Sequence, residues 1–83
     1  MKSLSDARLR KALNGIFHLD LGLCVLLDGL LELRRTDNQL YSVTMYCDNA
    51  ESTAEFKALD EAVTYFLIWR RRLKIGTDLD VGK

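Results

Sequence analysis

His18 is the only histidine in this 83-residue chain, so imidazole acid–base chemistry would have to run through it. Helical spacing groups it with Lys11, Gly15 and Gly22 on a polar side, where a solvated or end-capping histidine is the common outcome. Asp20 and Cys24 stand four residues apart and, with His18 or Cys47, come nearest to a metal-ligand set. No spacing in the chain matches a structural zinc pattern. A nucleophilic cysteine needs a cationic or basic neighbour to lower its pKa, whereas Cys24 lies among leucines that favour an inert thiol. Asp60 and Glu61 are adjacent and so diverge around a helix instead of forming an acid–base pair. Gly15, Gly22 and Gly29 are too far apart to cradle a phosphate. These residues predict no enzyme, no cofactor and no metal.

Binding chemistry concentrates in residues 59–74, LDEAVTYFLIWRRRLK. The segment opens with Asp60 and Glu61 and closes with Arg70, Arg71, Arg72 and Lys74, the charge order that complements a helix macrodipole. Leu59, Ala62, Val63, Phe66, Trp69 and Leu73 keep the spacing of one buried stripe, while Tyr65, Leu67 and Ile68 fall off it. A surface helix is normally polar on its far side. This one is therefore either sandwiched between other elements or turned toward another chain. An apolar, aromatic-rich helix ending in arginines has the composition of an interface, where Tyr, Trp, Phe and Arg are enriched, which makes Tyr65, Ile68, Trp69 and Arg72 the expected partner-binding residues, with Arg72 setting orientation. The alternative is a nucleic-acid surface built from Arg70, Arg71 and Lys74, extended by Arg34 and Arg35, with Trp69 stacking on a base. Cations in a last helical turn also satisfy terminal carbonyls, and successive arginines point in different directions.

Composition weighs on these classes. Twelve basic and twelve acidic residues cancel, which counts against binding nucleic acid through the overall field. The acidic stretch 48–61, in which Lys57 is the one cation, would complement a basic partner or a second copy. Two cysteines without short paired spacing indicate a reducing, cytoplasmic setting. Basic residues precede an apolar region near the start, but His18 and Asp20 interrupt it and no small-residue cleavage site follows. Neither export nor a membrane anchor is expected, since the apolar run of the last helix falls far short of the roughly 20 residues a bilayer needs.

The elements that must position these residues follow from periodicity. Ser3 or Ser5 can cap a helix beginning around Asp6, with Leu9, Ala12, Leu13, Ile16 and Phe17 inward and Arg8, Lys11, Asn14 and His18 outward. Over 16–27 two patterns compete. Phe17, Leu19, Leu21, Leu23, Val25 and Leu27 alternate like a strand, but richness in Leu and the polar spacing favour helix, kinked at Gly15. In that helix Gly15, Gly22 and Gly29 would lie along one line. Asp28-Gly29 ends it. Residues 30–36 and 40–47 then read as a hairpin around a turn at 36–39, with 48–52 a loop and 53–57 a third strand. Gly76 is placed to end the last helix, leaving 76–83 as a loosely held tail.

The fold class predicted is α+β, one domain over 1–83 in the order α–β–β–β–α, with both helices on one face of a three-stranded antiparallel meander. Its second sheet face would stay open and carry some of Glu32, Arg34, Ser42, Thr44 and Tyr46. The function predicted is a small protein–protein interaction module, an adaptor, inhibitor or regulatory subunit that binds another protein or a second copy of itself.

Overall fold

Ser5 begins the first helix, α1 (Asp6–His18), by accepting a hydrogen bond from the Arg8 N–H at 3.3 Å. The computed structural model describes residues 5–19, 22, 24–36, 40–47, 50–74 and 79–82. Ser3, Asp20, Gly76 and most of the 36–39 turn lie outside them. Leu9, Leu13 and Phe17, four residues apart, form the buried stripe of α1. The helix closes when the N–H of Leu19 reaches the carbonyl of Gly15 at 3.0 Å.

The strand pattern prevails over 24–27, which corrects the helical reading there, while 16–18 are helical as expected. β1 (Cys24–Leu27) pairs with β2 (Leu31–Arg35), Val25 opposite Leu33 and Leu27 opposite Leu31. Asp28 and Gly29 both have positive φ, +54° and +70°, and Leu30 N–H bonds the Leu27 carbonyl at 3.0 Å. A turn with two positive φ values matches the twist of adjoining antiparallel strands, so Asp-Gly folds the chain back at once. The pull of leucine toward helix is overridden because the hairpin buries Val25, Leu27, Leu31 and Leu33 together on one face.

The expected hairpin of β2 with β3 (Tyr41–Cys47) is present, Leu33 opposite Val43. β4 spans Ala50–Phe56 and pairs along its whole length with β3, so Ala50, Glu51 and Ser52 belong to a strand where a loop is expected. A further strand, β5 (Leu79–Gly82), pairs with β1 where the sequence pattern predicts a tail. The protein is thus an α+β domain with the meander extended to five antiparallel strands in the order β4-β3-β2-β1-β5.

The second helix, α2 (Leu59–Leu73), packs on the same side of the sheet as α1 and touches α1, β2, β3 and β4. Ala62, Val63 and Phe66 are fully buried against Leu9, Leu13, Val25, Leu33 and Val43. Leu67 is also buried while Trp69 is half-buried, so the inward face is rotated slightly from the predicted stripe. The helix ends at Lys74, in left-handed conformation with φ 55° and ψ 42°, two residues before the expected glycine. Among the described residues, no helix is long and apolar enough to cross a membrane.

The glycines show why no common line runs through them. A Cβ on Gly22 would come within 2.4 Å of Val81 Cγ1 and 3.1 Å of the Gly82 carbonyl, so Gly22 is where the chain passes closely beside β5. Gly15 meets nothing within 4 Å and has ordinary helical φ. Gly15→Ala is expected to stabilise the fold by about 0.5–1 kcal/mol, because alanine removes the entropy cost of glycine in a helix. Gly29→Ala is expected to destabilise it by about 1 kcal/mol through its positive φ. Urea unfolding midpoints of the two variants, moving in opposite directions from wild type, check both.

Candidate functional site

Three surfaces carry the polar and aromatic residues from which a function has to be built. On the outer side of α2, Asp60, Glu61, Thr64, Ile68, Arg71 and Arg72 are exposed. Ile68, at 44% exposure, is the apolar member of that set. Beside it, a groove of about 260 Å³ runs between the helices, lined by Asp6, Ala7, Arg10, Thr64, Leu67, Ile68 and Arg71. Arg10 crosses the groove to Asp60 and to the Thr64 hydroxyl, both at 3.1 Å.

Tyr65 and Trp69 occupy the flank of α2 away from α1. Tyr65 packs on Phe56 of β4 at 5.1 Å and on Trp69 at 6.3 Å between ring centroids, and the Arg72 guanidinium lies 5.1 Å over the indole. Such a ladder holds Arg72 beside the helix by cation–π attraction. Of the four predicted contact residues, Ile68 and Arg72 are therefore exposed, while Tyr65 and Trp69 are half-buried in contacts within the chain.

The residues of the alternative basic surface are divided between the end of α2 and the sheet. Arg70 is buried and its Nη1 lies 2.5 Å from Asp6 at the start of α1. Arg71 is exposed and bonds the other oxygen of the same carboxylate. Asp6 thus joins the last turn of α2 to the first turn of α1. Arg34 sits on the opposite face of the sheet, bonded to Glu32. Arg35 shares the register of Tyr41 and Phe56, on the helix-bearing face. Arg70 was legible as an inward residue, since it lies four beyond Phe66 and seven beyond Val63, but its partner at Asp6 leaves no local sequence signal.

The third surface is the sheet face without helices. Glu32, Arg34, Ser42, Thr44 and Tyr46 all lie on it, joined by Cys24, Leu26, Thr53 and Glu55 through strand register. Glu32 is 8% exposed and takes hydrogen bonds from Tyr46 Oη at 3.1 Å and from Arg34 Nη2 at 3.1 Å. The Thr44 and Thr53 hydroxyls are 3.0 Å apart across β3 and β4. A carboxylate nearly out of water is tolerable here because a cation and a phenol both donate to it. Hydrogen bonding to Glu32 and its charge hold the Arg34 guanidinium firmly protonated. Burial, then the bond and charge of Glu32, raise the Tyr46 phenol above its ordinary pKa.

His18 is exposed in the last turn of α1, and Cys24, a free thiol, is half-buried on β1. Among the described residues, no group of three or more His, Cys, Asp or Glu is arranged to hold a metal ion. No known family model, curated protein or solved structure matches the chain.

The Tyr46 shift makes a signed prediction. Its folded pKa lies above the unfolded value of about 10, so its stabilising contribution is complete below that pH and is lost as pH rises through the folded pKa. Tyr46→Phe should therefore be less stable than wild type at pH 7, by roughly 1 kcal/mol for one lost hydrogen bond. The gap should narrow progressively above pH 10. Denaturant unfolding of both proteins from pH 7 to 11 measures it, and a gap that widens with pH would contradict the assigned network.

Proposed function

We propose that this protein is a small protein–protein interaction module that associates with a second copy of itself through the outer face of α2, in a reducing, cytoplasmic setting. The observation that carries the reading is the arrangement of that face. Its N-terminal end is acidic, with Asp60 and Glu61; its C-terminal end is basic, with Arg71 and Arg72; the exposed apolar Ile68 lies between them. Such a pattern is self-complementary only when two helices run antiparallel. A two-fold axis between Thr64 and Ile68 sets Asp60 and Glu61 of each copy against Arg72 and Arg71 of the other, and Ile68 against Thr64. The helix dipoles then also oppose one another. The groove beside Ile68 offers each copy a recess for an apolar side chain, and the Trp69 ring holds Arg72 ready at the rim.

Catalysis is no part of this proposal. The cytoplasmic assignment draws on the low cysteine count and the free thiol of Cys24. The nucleic-acid alternative has less support, because Arg70 is taken up by Asp6 and Arg34 by Glu32.

Light scattering over a concentration series tests the proposal. Wild type should approach twice the chain mass, and Ile68→Asp should remain a folded monomer. Asp60→Arg and Arg72→Glu should each weaken association, and the double reversal should restore it in part, by about 1 kcal/mol or less per exposed pair. A wild-type monomer at all concentrations would overturn the reading, as would an Ile68→Asp variant that associates like wild type.

A further inference from the structure

β4 is an outer strand of the sheet. It is bonded to β3 on one side, and among the described residues no strand pairs with its other side. The opposite edge, β5, is four residues long, whereas β4 runs for seven. An outer strand of that length presents a row of backbone donors and acceptors to any extended chain beside it. Its two faces differ in chemistry. Glu51, Thr53 and Glu55 share the open face through their pairing with Tyr46, Thr44 and Ser42. Ala50, Ser52, Ala54 and Phe56 share the helix-bearing face, where Phe56 and Tyr65 form a half-buried aromatic flank.

We infer that β4 is a strand-addition site for an extended segment of another protein, one that alternates basic residues with apolar ones. The basic residues would lie opposite Glu51 and Glu55. The apolar residues would pass over the small side chains Ala50, Ser52 and Ala54 and cover Phe56 and Tyr65. Complementary charge directly across a strand pair is favourable, and an apolar row beside an exposed aromatic edge removes that edge from water. A second copy of β4 is a poor occupant. Antiparallel pairing about Thr53 would set Glu51 against Glu55 twice, and like charges directly opposite are destabilising. The site is separate from the α2 face, so it stands or falls independently of self-association.

The probe is a blocked heptapeptide with valine at odd positions and lysine, threonine and lysine at the even ones, which reads the same in both directions. Trp69, the single tryptophan, neighbours Tyr65 and reports binding by its fluorescence. The peptide should bind saturably and protect the β4 amides from hydrogen exchange, in wild type and in Ile68→Asp alike. A peptide with glutamate in place of lysine should bind about fivefold more weakly or worse, and Glu51→Lys with Glu55→Lys should invert that preference. N-methylating the peptide at alternate residues should abolish binding for one parity and spare it for the other, since only alternate amides face the added edge. Absence of binding would overturn the inference and leave the glutamates as guards against edge pairing. Binding that ignores both charge reversal and methylation parity would overturn it equally.

Discussion

Burial of one face of α2 between α1 and a single side of the sheet is the constraint on which the rest of this small structure depends. Phe66, Val63, Ala62 and Leu67 belong to one buried cluster with side chains from α1, β1, β2 and β3, so α2 closes the core over the helix-bearing face of the sheet. Truncating such a fully buried phenylalanine typically removes about 3–5 kcal/mol, a large share of what a domain of this size possesses. With the inward face so committed, the helix has only its rim and outer face for any other task. The Asp6 carboxylate reinforces the arrangement by tying Arg70 and Arg71 to the beginning of α1. It also withdraws the buried Arg70 from the basic surface that the bare sequence suggests.

The neutral total charge conceals an unequal distribution. Cations gather on the helix side, at Arg8, Arg10, Lys11, Arg71, Arg72 and Lys74, while the open sheet face carries Glu32, Glu51 and Glu55 against Arg34. The two proposed contacts, one through α2 and one along the sheet edge, lie on different parts of the molecule and would not compete. Net charge alone reports neither.

The α+β class, the start of each helix and the β2–β3 hairpin were legible because each rests on a strong local period. Leu9, Leu13 and Phe17 repeat at four, and Tyr41 to Met45 alternate inward and outward. β1 departs from the helical expectation because Asp28-Gly29 stands beside it, a dipeptide that marks hairpins between alternating apolar runs, and the turn outweighs the leucine content of the strand. β5 had little signal of its own, since Leu79–Gly82 gains its partner from β1, far away in sequence. The extent of β4 was hidden by its polarity, which reflects an outer strand with an exposed face. Within the candidate surfaces, Ile68 and Arg72 could be nominated from helical spacing. The Glu32–Arg34–Tyr46 network was half visible, because the strand alternation puts those residues on one face but does not reveal the burial of Glu32.

The proposed self-association requires two α2 helices to meet antiparallel. Spin labels on Thr64→Cys and, separately, on Lys74→Cys would measure this in chains whose Cys24 and Cys47 are replaced by serine. With the axis between Thr64 and Ile68, the two Lys74 sites should lie about 24 Å apart along the helices and the two Thr64 sites about 6 Å, from a rise of 1.5 Å per residue. Antiparallel association requires a clearly longer distance at position 74 than at position 64. Equal distances at both positions, or no dipolar coupling at either, would contradict it.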